Sequence, residues 1–587
     1  MVSKKHICYL YIFNYKVLKN IGLKFDDRFK FEIEDNILHI YRNPNSLPKN
    51  FWGSGIYSLT AIVGENGSGK STVLRLMKKL FVDGEPRNED VAVAIVYEYQ
   101  GDLYIYNPNN LKIVCEQGLR SYSIETRKAI ETFYYSSHFQ PYTGAEGEME
   151  LSGSYDATDT WLLINDLLNY SNFDSYHLTA PIYNHLSAYY AQNNYRICEV
   201  LLLDDLEKLL VSFRMPRYIL IAPNKGGWNA IKLEEKQDRI KSIELPNEKY
   251  SSTDIYGKSI ERFIYYNIVN LIAERKGNPE KSVSFLHNWQ NSHRSGDVIK
   301  DFEGLVTSCN LLEEERRPLE AITYVIRKMV ELCEFDEDSG TFYIDIKANA
   351  DKLRALVNDV LRDRYFLTAR FFDIYYGHSI IGFQRLSSGE LELLNLLSRL
   401  YYGITLLPQK YPNKKSPRLL LLDEAEIGFH PDWQRQYVKV LTEFMQYMRV
   451  KSDMDFQIVI TSHSPIILSD IPVCCINFLH RRDGETKLIT GEKETFGENV
   501  FNLYRRAFFM DSGLVGEFAR IKMQNAAKNI EEGNVTEETL KTVDLIGDDR
   551  IREYLRKRMA SGNINSEIAY HEEKIRQLRK LKEKGDE

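Results

Sequence analysis

Apolar and polar residues follow two different patterns along the chain, one typical of strands and one typical of helices. Residues 6–45 have the pattern of short strands: 6–15 are aromatic and rich in β-forming residues, and 29–43 alternate apolar with polar positions. The pair Asp35-Asn36 predicts a turn within the second segment. Uninterrupted apolar runs indicate strands that are buried on both faces of a parallel sheet. Such runs lie within the segments 57–63, 417–425 and 456–464. Helical patterns follow the first two runs, so the chain is predicted to have an α/β fold.

The middle of the chain, from about residue 150 to about residue 370, carries apolar residues at helical spacing instead. No heptad pattern is sustained there over three or four repeats, so we expect a compact helical insertion rather than a coiled-coil arm. The predicted boundaries are 1–145 for an N-terminal α/β lobe, 146–370 for the insertion, 371–490 for a C-terminal α/β lobe and 491–587 for a helical extension.

Composition and charge exclude two classes of protein. The chain has 587 residues, of which 43% are hydrophobic and 27% are charged, as in an ordinary globular protein. Its 38 Tyr and 28 Phe are too many aromatic residues for a disordered chain. The formal net charge of −7 excludes a wholly basic nucleic-acid coat protein, although a local basic groove remains compatible with it.

Cysteine spacing and hydropathy bear on the compartment. The seven cysteines include one adjacent pair but no CxxC pattern, which argues against a structural zinc site and against a disulfide framework. No stretch approaches the roughly 18 apolar residues that a membrane-spanning helix needs. The N-terminus also lacks the apolar core of a signal peptide. We therefore expect a cytoplasmic protein with no membrane partner.

A phosphate-binding loop is the first motif that carries chemistry. Residues 64–71, GENGSGKS, fit the pattern GxxxxGK followed by Ser or Thr, with a strand before the motif and a helix after it. Its glycines allow backbone N–H groups to surround phosphate oxygens, and the helix adds its positive N-terminus. Lys70 is expected to reach the β- and γ-phosphates, and the Ser71 hydroxyl to coordinate Mg²⁺. The candidate nucleotide-binding residues are Asn66, Gly67, Ser68, Gly69, Lys70, Ser71 and Thr72.

Two later apolar runs end in polar residues that complement this loop. Asp423 and Glu424 follow the run of four leucines. An Asp in this place can hold Mg²⁺ and a Glu can polarise the attacking water. His463 follows the next run, where it is a candidate for contacting the γ-phosphate or for positioning that water. The expected cofactors are therefore ATP and Mg²⁺.

A fourth element, LSSGE at 386–390, opens another helix. Small hydroxyl residues and a glycine before a helix favour a second anion site at the helix N-terminus. The same residues also fit a capping box, with Ser387 as the cap and Glu390 three residues later. Both interpretations can hold for the same residues. The candidate contact residues are Ser387, Ser388 and Gly389.

Together these four elements resemble the ABC-type ATPases of the SMC and RecF-like branch, in which they occur in this order. The resemblance covers residues 6–140 and 375–480. It implies a P-loop ATPase head, here split by the insertion, that pairs with a second copy around two ATP molecules. Ser387 and Gly389 of one copy would then contact the phosphate held by Lys70 of the other.

The same resemblance suggests further site residues. Arg385, just before the signature LSSGE, is a candidate for stabilising phosphate charge. The family carries a glutamine after a strand that follows the phosphate loop, and Gln140 is the first candidate for it, with Gln100 the second. The loop 425–430 lacks the Pro and Asn that relatives often carry there, so the details of communication between copies are expected to differ.

Within this branch, the chain most resembles the Septu-type ATPases of bacterial defence, which also occur in some retron cassettes. The segment 496–518 carries this resemblance. It implies a sensor or regulatory subunit that works beside a separate HNH-type nuclease, as a dimer or a higher oligomer. DNA, or the RNA and DNA of a retron, is a further candidate ligand.

Three alternative functions are also compatible with the sequence. One is a DNA-repair ATPase of the RecF kind. Another is an ATPase with its own nuclease centre, like the overcoming-lysogenization-defect nucleases. Asp483 and Asp511 do not lie in the pattern of that centre, and Asp548-Asp549 resemble it only weakly. The last is the nucleotide-binding subunit of a transporter, which normally has a much shorter insertion.

Overall fold

The computed structural model describes most of the chain, in segments that are separated by gaps. The described residues are 5–81, 91–125, 130–137, 154–158, 162, 182–204, 206–209, 213–225, 246–273, 279–292, 295–361, 372–381, 384–410, 418–482, 484–489, 491, 494–507 and 515–561. The chain divides into two compact units, residues 1–503 and residues 504–587.

A twelve-stranded sheet forms the centre of the first unit. Its strands, in chain order, are β1 (His6–Tyr15), β2 (Leu18–Lys24), β5 (Ile56–Gly64), β6 (Ala92–Tyr99), β7 (Asp102–Tyr106), β9 (Ser121–Ile124), β10 (Thr132–Ser136), β11 (Ser154–Asp156), β17 (Leu419–Asp423), β18 (Phe456–Ser462), β19 (Ile476–Arg482) and β20 (Glu485–Ile489). Their spatial order is β11-β10-β17-β18-β5-β19-β20-β2-β1-β6-β7-β9.

The half of this sheet from β11 to β19 is parallel, and it contains all three of the apolar runs. The leucines of β17 are fully buried, as expected for a strand covered on both faces. Asp423 at the end of β17 is in register with Thr461 of β18, and Ser462 is in register with Val63 of β5. The carboxyl ends of β17, β18 and β5 therefore meet at one edge, as the α/β prediction requires.

Two smaller sheets flank the large one. The first consists of β3 (Phe29–Glu34), β4 (Ile37–Arg42) and β8 (Lys112–Cys115). Asp35 and Asn36 join β3 to β4 with φ angles of 48° and 60°. Positive φ at both central residues is the geometry of a tight hairpin turn, so the predicted turn is confirmed.

The second small sheet lies mainly in the insertion and runs into the signature. Its strands are β12 (Tyr218–Pro223), β13 (Glu334–Asp336), β14 (Thr341–Asp345), β15 (Phe372–Ser379) and β16 (Gln384–Arg385), in the order β13-β14-β12-β15-β16. The insertion therefore differs from the wholly helical block that its sequence predicts. Strands of three to six residues are too short for a period of two to stand out beside long helical stretches.

Helices account for most of the remaining described structure of the first unit. They are α1 (Lys70–Leu80), α2 (Ile182–Leu201), α3 (Leu206–Leu209), α4 (Ile255–Ala273), α5 (Pro279–Asn291), α6 (Val298–Ser308), α7 (Glu313–Leu332), α8 (Ala350–Ala355), α9 (Ser388–Tyr401), α10 (Leu407–Lys410), α11 (Pro431–Ser452), α12 (Pro465–Leu468) and α13 (Val500–Ala507), the last of which crosses the boundary between the units. Two π-helical turns continue α8 and α9, at Leu356–Leu361 and Tyr402–Leu406. None of the helices in the described segments is long and apolar enough to cross a membrane.

The second unit contains α14 (Glu517–Glu531), α15 (Glu537–Asp544) and α16 (Asp549–Ser561). Its core consists of a few side chains, with Val543 completely buried among Ile530, Ile546 and Leu555. Thr536 begins α15 by accepting a hydrogen bond from the Thr539 N–H at 3.2 Å. This side-chain cap fixes where the helix begins.

Candidate functional site

The phosphate loop connects β5 to α1 with the backbone geometry that its glycines permit. Gly67 and Gly69 have φ angles of 77° and 98°, which other residues rarely adopt. A Cβ at Gly64 would lie 2.1 Å from the Leu479 carbonyl oxygen, so only glycine fits against β19 at that point. The glycines therefore serve both the turn of the loop and its close packing against the sheet.

The N-terminus of α1 is arranged to receive an anion. Gly69 occupies the cap position without a side-chain cap, and the first turn carries no acidic residue. The first backbone N–H groups of the helix are thus left for a ligand. Ser68 Oγ is buried and has no hydrogen-bond partner within the described residues. An orphaned hydroxyl beside bare helix N–H groups fits a phosphate group.

Lys70 lies inside the same loop. Its side-chain Nζ donates hydrogen bonds to the carbonyl oxygens of Gly64 at 3.0 Å and Glu65 at 3.1 Å, and the residue is only 4% exposed. Burial lowers the pKa of Lys70, while the nearby carboxylates of Glu424 and Asp423 act to raise it. The ammonium group therefore lies between the loop and the edge of the sheet that carries Asp423 and Glu424, which we call the acidic edge.

Asp423 and Ser71 come together at this edge as the candidate metal ligands. Ser71 Oγ donates a hydrogen bond to Asp423 Oδ1 at 3.0 Å. Thr461 Oγ1 donates to the same oxygen at 2.6 Å, and the Tyr134 hydroxyl donates to Asp423 Oδ2 at 3.0 Å. A hydroxyl and a carboxylate oxygen at this separation are the hard oxygen ligands that suit Mg²⁺.

The sequence alone does not indicate Thr461 and Tyr134 as partners of Asp423. Both hold the carboxylate in one orientation, the kind of supporting contact that tunes a metal ligand. Tyr134 lies on β10 next to β17, almost 290 positions before Asp423 in the chain. Only the pairing of these two strands could have revealed the contact.

Glu424 and His463 form the second pair of the site. His463 Nε2 lies 3.1 Å from Glu424 Oε1. Glu424 has a φ of 50°, which is unusual for a residue with a side chain, and its N–H donates to Thr461 Oγ1 at 3.0 Å. Strained backbone of this kind persists when surrounding contacts hold it, and it occurs preferentially at functional sites. The turn aims the Glu424 side chain at His463.

Glu426 is a buried carboxyl that the sequence does not single out. It is 4% exposed, accepts a hydrogen bond from Ser462 Oγ at 2.5 Å, and lies 3.3 Å from the His463 N–H. The pKa of Glu426 is raised to about 7, mainly by burial and to a smaller extent by the charge of Glu424, while the hydrogen bonds oppose the shift. This carboxyl thus supports the turn that carries His463.

We expect Glu426→Gln to change how stability depends on pH. A carboxyl with a raised folded-state pKa contributes stability below its unfolded value of 4.5, and this contribution is lost as the pH rises through about 7. The free energy of unfolding of the wild type should therefore fall by about 3 kcal/mol more than that of the variant between pH 4.5 and pH 8. Denaturant titrations at several pH values measure this, and parallel pH profiles would contradict it.

The signature begins α9 through the predicted capping box. Ser387 Oγ accepts a hydrogen bond from the Glu390 N–H at 3.3 Å, and Glu390 Oε2 accepts from the Ser387 N–H at 2.8 Å. Ser387 and Ser388 are exposed. A Cβ at Gly389 would lie 3.4 Å from the Gly428 carbonyl oxygen. The signature therefore lies against the loop that follows Asp423 and Glu424, the acidic pair.

His378 on β15 extends this cap, although the sequence does not indicate it. Its Nε2 lies 3.2 Å from Glu390 Oε1, and its side chain is 8% exposed. Oε2 of Glu390 thus contacts Ser387 of the signature, and Oε1 contacts His378 on β15 of the second small sheet. The Arg385 guanidinium on β16 lies 3.5 Å from the centre of the Tyr375 ring on β15. Within the described segments, no hydrogen bond joins Ser387 or Gly389 to the phosphate loop of the same chain.

The two candidate glutamines have different outcomes. Gln140 lies outside the described residues. Gln100 lies in the turn between β6 and β7 with a φ of 53°. Four strands, β19, β20, β2 and β1, separate β5 from β6 in the sheet, so Gln100 is not placed beside the phosphate loop. The prediction for Gln100 is therefore wrong, because β6 belongs to the antiparallel arm of the sheet.

A further group of metal-ligating side chains lies at His6, Cys8 and Asp26. Arg28 already satisfies this group, since its Nη2 lies 2.6 Å from Asp26 Oδ2. Burial acts to raise the pKa of Asp26, but the hydrogen bonds to His6 and Arg28 and the charges of both lower it overall. Burial raises the pKa of Cys8, which disfavours the thiolate that metals need. The cluster is explained as a buried ion-pair network.

The family of the chain follows from a match that includes the whole site. Residues 6–468 match the family model described as the AAA ATPase domain. The chain belongs to this family. The match includes the phosphate loop, the signature, the acidic pair and His463, so the motifs of this AAA ATPase domain protein all lie inside the family region.

Two curated relatives are similar to parts of this ATPase. Protein ea59 of Escherichia phage lambda is 25% identical over 223 residues, which are 38% of this chain and 37% of that protein. The retron Vc95 probable ATPase of Vibrio cholerae serotype O1 biovar El Tor is 23% identical over 167 residues, which are 28% of this chain and 31% of that protein. The chain thus matches only 37% and 31% of the lengths of these two relatives.

One solved structure that aligns with this chain is that of the recombination mediator protein RecF-ATPrS in the RecFOR pathway. The alignment covers 83% of this chain and 99% of that chain, with 12% identity and a TM-score of 0.24. The α/β assignment therefore rests on the strand order and the phosphate loop themselves, which confirm the predicted fold class.

Proposed function

We propose that this AAA ATPase binds ATP with Mg²⁺, hydrolyses it between two copies of the chain, and serves as the regulatory subunit of a defence system with a separate nuclease. One observation supports the hydrolytic part above all others. The Glu424–His463 pair, with 3.1 Å between Nε2 and Oε1, lies at the ends of the adjacent strands β17 and β18. Glu424 directly follows Asp423, and β18 is the neighbour of β5, which leads into the phosphate loop.

Binding of the nucleotide is assigned to the phosphate loop and α1. The bare N–H groups at the start of α1, the orphaned Ser68 hydroxyl and the Lys70 ammonium together offer donors for phosphate oxygens. Lys70 would exchange its hydrogen bonds to loop carbonyl oxygens for stronger bonds to charged oxygens. These residues fit a nucleoside triphosphate.

Hydrolysis is assigned to the acidic edge. Ser71 and Asp423 would hold Mg²⁺, which neutralises phosphate charge when it is bound. Glu424 would accept a proton from the attacking water. His463 would hold the Glu424 carboxylate in the orientation that this proton transfer needs. Tyr134 and Thr461 keep Asp423 in the orientation that this arrangement needs.

A second copy of the chain would complete the site. Ser387 and Ser388 are exposed at the start of a long helix, which is a favourable place for an anion. Hydrogen bonds tie the Ser387 cap to its own helix turn and not to the phosphate loop of the same chain, within the described residues. The signature would therefore meet the nucleotide of the partner, with Arg385 adding positive charge.

The defence role rests on resemblance. The Septu-type likeness of 496–518, of which 508–514 lie outside the described residues, is its main support. The weak similarity to the retron Vc95 probable ATPase is compatible with it. Asp548, one candidate for an intrinsic nuclease centre, accepts hydrogen bonds from the Arg550 and Ile551 N–H groups, as a helix cap does. Asp483 and Asp511 lie outside the described residues.

One reaction mixture tests this function. Purified protein is incubated with ATP, Mg²⁺ and plasmid DNA, and both phosphate release and plasmid integrity are measured. We expect phosphate release with intact plasmid, and no phosphate release from the Lys70→Ala variant. Cleavage of the plasmid by the purified chain would contradict the separate nuclease, and absence of phosphate release would contradict the assigned hydrolysis.

His378 gives a prediction for the signature. Because its imidazole holds Glu390, we expect His378→Ala to loosen the cap and lower ATP turnover about fivefold, the effect of about 1 kcal/mol. Binding of ADP to the phosphate loop should not change. Turnover and ADP affinity are measured together, and His378→Gln, which can still donate to Glu390, should recover most of the turnover. Equal turnover of wild type and His378→Ala would contradict the prediction.

A further inference from the structure

The phosphate loop has two walls, and the proposed chemistry uses only one of them. Strands β17 and β18 lie on one side of β5 and carry Asp423 and His463 near their ends. Strand β19 lies on the other side of β5. The Cα of Gly64 packs directly against the carbonyl group of Leu479 on β19, two residues before Arg481.

This second wall is fixed to the loop by several contacts. Thr486 Oγ1 on β20 donates a hydrogen bond to the Ser68 carbonyl oxygen at 2.9 Å. A Cβ at Gly69 would lie 2.9 Å from Leu18 Cδ2, so β2 also closes on the loop. The wall is therefore joined to the phosphate loop by contacts from both β20 and β2.

The end of β19 is joined to the loop through Glu65. Its Oε1 accepts a hydrogen bond from the Arg481 N–H at 2.9 Å and lies 2.7 Å from His480 Nδ1. These contacts turn the carboxylate toward the strand backbone. They also fix where the Arg481 side chain leaves the strand.

The Arg481 guanidinium lies against the tip of the phosphate loop. A Cβ at Gly67 would be 3.2 Å from Arg481 Nη1. The residue is exposed, and within the described part of the chain its guanidinium makes no hydrogen bond or ion pair. Five N–H donors are thus available beside a phosphate-binding loop, and Arg is the side chain best suited to phosphate oxygens.

We propose that Arg481 donates hydrogen bonds to the α-phosphate of the bound nucleotide, the phosphate that is attached to the nucleoside. This inference rests on the proposed function. Lys70, Ser71 and the acidic pair place the terminal phosphates toward β17 and β18. The phosphate chain is linear, so its other end leaves the loop on the side of β19, where Arg481 lies.

Equilibrium titration of the full chain with ADP tests this assignment. Arg481→Ala should weaken ADP binding about tenfold, as expected for loss of a charge-assisted hydrogen bond. Arg482→Ala is the matched control, because side chains of adjacent strand residues point to opposite faces and both arginines are exposed. The Arg482→Ala variant should bind ADP like the wild type.

The comparison of the two arginine variants decides the assignment. Equal ADP affinity of the Arg481→Ala and Arg482→Ala variants would overturn the inference. Failure of the wild type to bind ADP, or binding that Lys70→Ala leaves unchanged, would instead contradict the proposed function.

Discussion

Glu424→Gln should lower the rate of ATP hydrolysis about a hundredfold or more while leaving ATP bound. The side chain keeps its size, but it can no longer accept a proton from water, a role that contributes roughly 10²–10⁴ to the rate of such reactions. The contacts that bind phosphate, from Lys70 and the start of α1, do not involve the Glu424 side chain. Phosphate release and nucleotide binding measured on the same preparation test both halves of this expectation.

The control for this variant is Glu532→Gln, the same substitution at an exposed residue after α14 in the second unit. It should hydrolyse ATP like the wild type. If Glu424→Gln also retained the wild-type rate, Glu424 would not be the proton acceptor, and His463 would lose its assigned role as well.

Lys70→Ala should abolish measurable nucleotide binding, with a loss of affinity of about a hundredfold or more. The Lys70 ammonium is buried near Asp423, Glu424 and Glu426, all of which act on its pKa. Without it, the negative edge of the sheet would repel the phosphates, and the lost charge-assisted bonds to phosphate would add to the effect. Titration with fluorescent ATP measures the change.

Lys78→Ala is the matched control for that measurement. Lys78 lies later in α1, and its Nζ pairs with Asp156 Oδ2 at 2.7 Å, on the part of the helix away from the loop. The control should bind ATP normally. Equal loss of binding in both variants would indicate damage to α1 rather than loss of a phosphate contact.

The sequence predicts the centre of this site well because its motifs have local signatures. The phosphate loop must follow a strand and begin a helix, and buried apolar runs identify the neighbouring parallel strands. The hairpin at Asp35-Asn36 and the capping box at Ser387 are local in the same sense, and both are confirmed.

The remaining features depend on contacts between distant segments. Tyr134 meets Asp423 only because β10 pairs with β17, and His378 meets Glu390 only because β15 turns back through β16. Arg481 lies beside Gly67 because β19 pairs with β5. No periodicity or spacing in the sequence encodes these pairings, so local reasoning could not find them.

The central claim is that two copies of this ATPase share their nucleotides, and the mass of the Glu424→Gln variant in solution tests it most directly. The variant should bind ATP without consuming it, so the closed pair should accumulate. We predict the mass of a dimer with ATP and Mg²⁺ and the mass of a monomer with ADP, and dimerisation should be lost when Ser387→Arg is added. A monomer that is saturated with ATP would contradict the claim.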